Sequence, residues 1–299
     1  MTQLTVTLPT GLTALPVRTW LRQTQHISNS QWRRIKNSGT FRLNGIPANA
    51  TRSLVQTGDV IAFESEKHPC LVEPENLPLD ICYEDAAVLV VNKPAGQIVH
   101  PLVKEPHGTL GNAVLGYYAR TGQQHGFHPV HRLDRQTTGL VLIAKEPQVQ
   151  YQLSRNGQQL FHRAYLALIP GALAPASGSI ALPLGPAPGS YVRQMVTPQG
   201  KPALTYYRTL RTGLIADIPV SLVELTLATG RTHQIRVHLA HLGHPLLGDD
   251  FYGGDTRLLP RQALHAYHLT FTQPLSGETI NLTTPLPADM AALVAQIRD

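Results

Sequence analysis

Apolar side chains near the N-terminus recur at helical spacing in two short segments. Pro16, a residue favoured in the first turn of a helix, precedes the first segment. Ser30 precedes the second segment, QWRRIKN, and Gly39 is its expected C-terminal stop. The apolar residues at this spacing are Val17, Trp20, Leu21, Trp32 and Ile35. The pattern predicts two short helices.

Two strand-like segments follow these helices. TFRLNGIPA predicts a strand that enters an Asn44–Gly45 turn, and GDVIAFE predicts a second strand after Gly58–Asp59. Residues 1–65 are therefore expected to form a small α+β domain of two helices and a β-hairpin. Residues 66–79 hold three prolines and little periodicity, which predicts a linker.

From residue 80 onwards, most apolar segments have the length and composition of strands. Helices are predicted over GTLGNAVLGYY, with Thr109 as its cap, and over THQIRVHLAHLG, which ends at Gly243. The Gly/Pro/Ala-rich segment 170–190 is expected to be loops that join hairpins. The predicted strands are AVLVVNKPAG, TGLVLIAK, RAYLALIPG, VSLVELTLATG and ALHAYHLTF. Many strands with few helices predict an α+β domain over residues 80–299 with a mostly antiparallel sheet.

The balance of charge indicates a class of partner. The chain of 299 residues has 25 Lys and Arg against 19 Asp and Glu, which gives a net charge of +6. A basic surface favours polyanions, and nucleic acid is the commonest of these. On charge alone, a merely soluble basic protein is an equal alternative.

Cysteine content and hydropathy bear on location. Only two cysteines, Cys70 and Cys82, occur, which is too few for a disulfide framework. The N-terminus lacks a charged region followed by an apolar one, and no apolar run approaches the length of a membrane span. We expect a cytoplasmic protein with no membrane partner, and a monomer as the default.

One aspartate is a candidate reactive group in the segment HPVHRLDRQTTGLVLIAK. Asp134 lies between Arg132 and Arg135, just before an apolar strand. Two neighbouring arginines favour the ionised carboxylate. An ionised aspartate can act as a nucleophile, a base or a salt-bridge partner, and taken by itself a structural ion pair is the commoner use.

A second segment, LATGRTHQIRVHLAHLGHPLLGDDFYGG, combines a glycine turn with two arginines. Gly230 and Arg231 lie where a predicted strand ends and a helix begins, and free N–H groups at such a point can bind a phosphate. Arg231 and Arg236 add fixed charge and planar donors for RNA. His238 and His241 lie three residues apart, as in some zinc sites, but no carboxylate or cysteine completes a ligand set. We expect no metal.

The second predicted helix and the following strand carry a group of cations. A solvated surface and an RNA-backbone patch both explain them. The order of elements resembles the small RNA-binding module of the S-four type, whose G-x-V-x-V-N-G strand corresponds here to GTFRLNG and whose later segment corresponds to GDVI. The resemblance implies that residues 1–65 bind RNA. The candidate cations are Arg33, Arg34, Lys36 and Arg42.

Four blocks of the remaining chain occur in a recognisable order. They are YEDAAVLVVNKPAGQIVHP, HRLDRQTTGLVLIAK, RAYLALIPG and LATGRTHQIRVHLAHLGHPLLGDDFYG, which ALHAYHLTF completes. Together they resemble the RluA family of RNA pseudouridine synthases, and the second block resembles its H-R-L-D-x-x-T-S-G signature. The resemblance implies the pseudouridine synthase fold and the isomerisation of uridine to pseudouridine in RNA, with no cofactor.

Carried over by position, the resemblance implies roles for particular residues. Asp134 corresponds to the catalytic aspartate, and Arg231 to the arginine that pairs with it across the cleft. Tyr165 corresponds to the tyrosine that stacks on the target uracil, and Arg132 to the arginine that fills the gap left by a flipped base. Arg163 replaces the commoner lysine two residues before the tyrosine, which keeps the charge but changes the donor geometry.

The substrate is less specified than the reaction. Relatives with this pairing of domains often act on large-subunit ribosomal RNA, which is therefore the first expectation, and transfer RNA is the second. Two rival functions stay open. One is a non-catalytic RNA-binding or ribosome-assembly factor with the same fold, and the other is a metal-dependent hydrolase that uses the histidines.

Overall fold

A computed structural model describes most of the chain. The described residues are 2–9, 11, 13–23, 29–37, 40–65, 72–154, 160–190 and 192–298. Three features of the sequence prediction lie outside these residues: the expected helix stop Gly39, Cys70, and the first part of the predicted linker, 66–71. The side chains of Ser30 and Arg34 also lie outside the description.

The N-terminal elements form a small sheet with two helices. In chain order they are β1 (Thr2–Thr7), β2 (Leu15–Pro16), α1 (Val17–Gln23), α2 (Asn29–Asn37), β3 (Arg42–Leu43), β4 (Ile46–Pro47), β5 (Leu54–Val55) and β6 (Val60–Ser65). The two predicted helices are confirmed, and Trp20 and Trp32 are buried in a cluster with Ile61 and Phe63. The strand order of the sheet is β1-β6-β3-β4, and β2 pairs with β5.

The elements that follow are mostly strands. They are β7 (Ile81–Glu84), β8 (Val88–Lys93), α3 (Leu110–Arg120), β9 (His128–Pro129), β10 (Thr138–Ala144), α4 (Pro147–Ser154), β11 (Phe161–Pro170), β12 (Ser177–Ile180), β13 (Leu184–Pro186), β14 (Gln194–Val196), β15 (Thr205–Ile215), β16 (Ile218–Leu227), α5 (Gln234–His241), β17 (Leu264–Thr272), β18 (Thr279–Thr283) and α6 (Ala288–Gln296). A short 3₁₀ turn covers Asp250–Tyr252.

A ten-stranded sheet organises this second part of the chain. Its strand order is β12-β15-β16-β11-β17-β10-β8-β7, with β9 beside β10 and β18 beside β17. Strands β10 and β17 are parallel, and the other pairs described in this sheet are antiparallel. The predicted α+β class with a mixed, mostly antiparallel sheet is therefore confirmed.

The central strands are buried on both faces. In β8, Leu89 and Val91 pack in one apolar cluster with α3, whereas Val88 and Val90 pack in another on the opposite face. Strand β10 divides its side chains between the same two clusters. Burial on both faces explains why these strands are continuous apolar runs without polar alternation.

The second half of the predicted linker lies along α3. Thr109 caps this helix as predicted, through a capping box with Asn112. The Asn112 amide donates to the Glu73 carbonyl at 2.8 Å, and the Glu75 amide donates to the Asn112 carbonyl at 3.0 Å. A side chain at Gly116 would meet the Glu75 carbonyl at 1.8 Å, so glycine permits this close approach. Residues 72–79 are thus fastened to the helix.

The structure differs from the sequence prediction in several elements. Strands β1 and β15 and helices α4 and α6 are not predicted from the apolar pattern. Segment 170–190 contains β12 and β13, so the expectation of loops alone is wrong there. None of the helices in the described part of the chain has the length and apolarity needed to cross a membrane.

Candidate active site

Asp134 lies in the short loop between β9 and β10, beside a cavity of about 730 Å³. The loop itself, β11 and the connection between β16 and α5 line this cavity. The volume falls within the roughly 300–1,000 Å³ that is usual for pockets that bind small ligands. The side chain of Asp134 keeps 27% of its surface exposed, so solvent or a ligand can reach it.

Lys93, at the end of β8, holds the Asp134 loop from behind. Its Nζ donates to the carbonyl of Arg135 at 3.0 Å, and to the carbonyls of Pro94 and Gln97 at 2.7 Å and 2.9 Å. Burial lowers the pKa of Lys93 to about 7, and the charge of Asp134 opposes this shift. The ammonium group therefore ties the N-K-P turn to the loop that carries Asp134.

Two residues just before β17 hold the next two residues of the loop, Gln136 and Thr137. Arg261 Nη1 donates to the carbonyl of Gln136 at 3.2 Å, and Gln262 Nε2 donates to the Thr137 hydroxyl at 3.2 Å. Arg261 is itself fixed by two bonds of 2.7 Å to the carboxylate of Asp289. Because the three residues that follow Asp134 are all held by buried side chains, the loop is fixed next to its carboxylate.

Arg236, on α5, is the cation that pairs with Asp134. Its Nη1 donates to Asp134 Oδ2 at 3.0 Å, while Nε and Nη2 donate to the two oxygens of Asp249 at 2.7 Å and 2.8 Å. Burial opposes the charge of Arg236, but the bonds and charges of the two carboxylates outweigh burial and raise its pKa. A permanently charged, immobile guanidinium therefore faces Asp134.

His233 approaches the other oxygen of the same carboxylate. Its Nε2 lies 3.8 Å from Asp134 Oδ1, and its Nδ1 lies 2.9 Å from the Tyr252 hydroxyl, which accepts from the amide of Gln194 at 3.0 Å. Burial lowers the pKa of His233, so the neutral ring predominates at pH 7. The Tyr252 hydroxyl can donate to Nδ1, which leaves an Nε2–H facing Asp134.

The predicted pairing of Arg231 with Asp134 is wrong. Arg231 lines the same pocket, but it is exposed and its Nε donates to the carbonyl of Pro202 at 3.0 Å. Arg236 occupies the pairing position because the fully buried Asp249 holds its guanidinium in place. The two arginines share one motif, and only the buried aspartate further along the chain distinguishes them.

The two arginines that flank Asp134 in sequence point elsewhere. Arg135 forms an ion pair with Glu105, and Arg132 is exposed at the edge of the pocket. The arginine that contacts the Asp134 carboxylate is therefore Arg236 and neither of its sequence neighbours. Arg132 remains accessible to a ligand that enters the pocket.

Tyr165 and Arg163 lie two residues apart on β11 and both line the pocket. Tyr165 is buried, which raises its pKa. Arg163 is also buried, with its guanidinium 5.0 Å from the centre of the Phe161 ring. The structure thus brings Asp134, Tyr165 and Arg236 around one cavity.

The histidines proposed as an alternative metal pair have other contacts. His238 Nδ1 lies 2.9 Å from the Thr205 hydroxyl, and its Nε2 lies 3.0 Å from the carbonyl of Leu182. Both ring nitrogens are therefore occupied, and His238 is fully buried under the sheet. His241 is exposed at the end of α5.

The N-terminal cations lie on the surface. Arg33 and Lys36 on α2 and Arg42 on β3 are exposed. Arg42 Nη1 donates to the carbonyl of Gly45 at 3.2 Å, and no salt bridge with an acid involves these three cations in the described part of the chain. Their charge is free to contact a polyanion.

The pocket, the sheet and the sequence match one family of enzymes. The family model described as RNA pseudouridylate synthase matches residues 87–241, which include Asp134, Tyr165 and Arg236. The chain belongs to this family and is an RNA pseudouridine synthase. Within the family, its relatives assign it to the RluA type.

Two relatives and one solved structure illustrate the similarity. Ribosomal large subunit pseudouridine synthase D of Nitrosomonas europaea is 43% identical over 237 residues, which cover 76% of this chain and 67% of that protein. A Bacillus subtilis protein named uncharacterized RNA pseudouridine synthase YjbO is 38% identical over 261 residues, which cover 86% of this chain and 90% of that protein. The structure of human RNA pseudouridylate synthase domain containing 1 has 31% identity and a TM-score of 0.57, and covers 71% of this chain and 84% of its own.

Proposed function

We propose that this enzyme converts specific uridines of large-subunit ribosomal RNA to pseudouridine, with Asp134 as the catalytic carboxylate. The observation that carries the proposal is the contact between Asp134 and the buried Arg236 at the wall of an open pocket. The substrate is suggested by relatives named ribosomal large subunit pseudouridine synthase D. Transfer RNA is the alternative substrate.

The reaction exchanges one bond to ribose for another. Uracil leaves the ribose through N1, turns, and rejoins through carbon 5. The hydrogen on carbon 5 is lost as a proton and N1 gains a proton, so there is no net oxidation and no water is consumed. Arg236 engages Oδ2 of Asp134, and Oδ1, which lies 3.8 Å from His233 Nε2, is in this proposal the oxygen that acts on the substrate. Three roles fit this oxygen: attack on the anomeric carbon, addition to carbon 6 of uracil, and removal of a proton from the ribose.

The target nucleotide has to leave its base stack to reach Asp134. Flipping a base out of a folded RNA costs a few kcal/mol. Arg132, which is exposed at the edge of the pocket, is positioned to enter the vacated space and offset part of this cost. The ring of Tyr165, which also lines the pocket, supplies an apolar surface for the extruded uracil.

The N-terminal residues add affinity for RNA in this proposal. Residues 1–65 act as the S-four-like RNA-binding domain, 66–79 as the connection and 80–299 as the catalytic domain. The exposed charges of Arg33, Lys36 and Arg42 support this division of roles, because unpaired surface cations bind phosphates.

Mapping of pseudouridine in total RNA tests both the activity and the substrate. The RNA is taken from cells that carry the gene, cells that lack it, and deletion cells that express either the wild type or Asp134→Asn. We expect at least one pseudouridine of large-subunit ribosomal RNA to vanish in the deletion and to return only with the wild type.

The other outcomes separate the alternatives. A pseudouridine that vanishes from transfer RNA instead identifies the alternative substrate. An unchanged set of pseudouridines in all RNAs would support a non-catalytic assembly factor and contradict the proposal.

A further inference from the structure

Among the residues that the structure describes, Arg163 is a buried cation without a carboxylate partner. It is 6% exposed, and no acidic side chain lies within ion-pair distance of it in the described part of the chain. Its guanidinium contacts the Phe161 ring and the Tyr165 side chain. A guanidinium has five N–H donors, and burying its charge without an anion is costly. The arrangement therefore leaves room for an anion from outside the chain.

His131 supplies a second buried donor. The amide of Leu142 donates to His131 Nε2 at 3.2 Å, so Nε2 is the acceptor nitrogen and the proton of the neutral ring is on Nδ1. This Nδ1–H is buried and has no hydrogen-bond partner among the described residues. A buried donor left unpaired costs about 1–3 kcal/mol, which a ligand oxygen would recover.

Both side chains contact the ring of Phe161, which lies at one corner of the pocket. The His131 ring stacks on Phe161 with centroids 5.5 Å apart, and Arg163 lies 5.0 Å from the centroid of the same ring. Burial, and then the charge of Arg163, hold the pKa of His131 well below its usual range. Both side chains line the cavity that Asp134 faces.

Gly230 lets the backbone close this corner. A Cβ atom at position 230 would lie 2.9 Å from Nη2 of Arg163. Without a side chain there, the connection between β16 and α5 approaches the guanidinium closely and helps to keep it in the pocket. The corner is thus built by β11, the β9–β10 loop and this connection.

We propose that Arg163 and His131 form a phosphate subsite, which holds one backbone phosphate of the nucleotide whose uracil faces Asp134. A guanidinium presents paired donors that match two phosphate oxygens, and the Nδ1–H of His131 adds a third donor. The subsite explains why a buried cation without an acidic partner in the described part of the chain lies beside the pocket. This inference rests on the proposed role of the pocket as the site of uridine isomerisation.

Binding of small nucleotides tests the subsite without turnover. The dissociation constants of uridine, uridine 3′-monophosphate and uridine 5′-monophosphate are measured by ligand-observed NMR with the full chain. We expect one of the two monophosphates to bind the wild type about tenfold or more tightly than uridine. The monophosphate that binds more tightly shows whether the subsite holds the 3′ or the 5′ phosphate. Arg163→Met removes this advantage, and Arg163→Lys keeps part of it.

A matched variant and a second donor variant complete the design. Arg208→Met removes one positive charge from an exposed arginine that is paired with Glu224. We expect this variant to bind the monophosphate more tightly than uridine by the same factor as the wild type does. His131→Gln retains an acceptor for Leu142 but loses the Nδ1 donor, and it lowers the advantage by about threefold. Thermal melting of each variant identifies a loss of folding.

Three results would overturn the subsite. One is that neither monophosphate binds wild type more tightly than uridine, a comparison that holds even if Arg163→Met fails to fold. The second is an undiminished advantage in a folded Arg163→Met protein, and the third is an advantage lost equally in Arg208→Met. Turnover by Asp134→Asn would instead refute the proposed catalytic role and leave this binding comparison intact.

Discussion

At the scale of single residues, the structure differs from the sequence prediction most clearly in the arginine that contacts Asp134. Both Arg231 and Arg236 lie in one motif, and resemblance alone assigned the contact with Asp134 to the first. The contact that forms joins residues 102 positions apart, and it depends on Asp249 as an anchor for Arg236. A sequence identifies such candidates, but it does not rank them, because the choice depends on packing between distant segments.

Substitution of Arg236 tests the corrected pairing. Arg236→Met leaves Asp249 buried without a partner, so we expect a loss of about 3–5 kcal/mol in the free energy of unfolding. We also expect kcat/KM to fall by about 100-fold or more, measured as release of tritium from RNA that is labelled at carbon 5 of uridine. Arg231→Met, the matched variant, should keep near-normal stability and lose less than about tenfold in kcat/KM.

A double variant separates stability from activity at this site. Arg236→Met combined with Asp249→Asn removes the orphaned charge, so stability should recover in part while activity stays low. The corrected pairing would be wrong if Arg231→Met impaired turnover more than Arg236→Met does.

At the scale of elements, the loop of Asp134 is held by the strands around it. Strand β10 runs parallel to β17 at Thr138 and Gly139, next to the loop. Gly139 has φ of 113°, and a Cβ atom there would lie 2.2 Å from the carbonyl of Ala266. The glycine is therefore required both by the backbone conformation and by the close approach of β17.

Two glycine substitutions measure the value of this junction. We expect Gly139→Ala to lower the free energy of unfolding by about 3 kcal/mol or more, because strain and a backbone clash add. Gly122 has a φ of 71°, near the left-handed helical region, and a Cβ atom there meets nothing within 4 Å, so Gly122→Ala should cost about 1–2 kcal/mol. Denaturant titrations measure both free energies of unfolding. Equal losses of stability in Gly139→Ala and Gly122→Ala would contradict the close approach of β10 and β17.

Predictability at this scale follows the strength of the local pattern. The apolar runs of β8 and β10 and the cap of α3 are recognisable from sequence, because burial and capping are local signals. Strand β15 is largely exposed, and its apolar residues do not alternate regularly with polar ones; it is held by pairing with β16 along its length. Strand β1 has a weak alternation of polar and apolar residues, TQLTVT, and this pattern is typical of a strand.

At the scale of the whole molecule, five histidines have a lower pKa in the folded chain than in the unfolded chain. Burial is the leading cause that lowers the pKa of each, and it lowers that of His265 to about 4. Below the unfolded value of 6.5, the unfolded chain binds protons that the folded chain does not, so stability falls as pH falls. These histidines are His100, His131, His233, His238 and His265.

Chemical denaturation at two pH values tests this linkage. We expect a lower free energy of unfolding at pH 5.5 than at pH 7.5. His265→Asn should reduce the difference between the two values, because one of the contributing groups is removed. Equal stability at both values would show that protonation of the buried rings costs nothing.

The basic surface of the N-terminal residues bears on the whole molecule's affinity for RNA. Replacement of Arg33, Arg34, Lys36 and Arg42 by Gln should weaken RNA binding and, if each cation contacts one phosphate, reduce the slope of log affinity against log salt by about three. Filter binding over a range of potassium chloride concentrations measures the slope. An unchanged slope would mean that these cations form only a solvated surface.

The most direct test of the account concerns the carboxylate of Asp134. Large-subunit ribosomal RNA from cells that lack the gene is labelled with tritium at carbon 5 of uridine, and release of tritium follows the isomerisation. The matched control is Asp217→Asn, an exposed aspartate at the tip of the β15–β16 hairpin with positive φ, which asparagine accepts readily. We predict that Asp134→Asn binds the RNA but releases tritium only at background, while Asp217→Asn matches the wild type. Release by Asp134→Asn at a rate near that of the wild type would contradict the account.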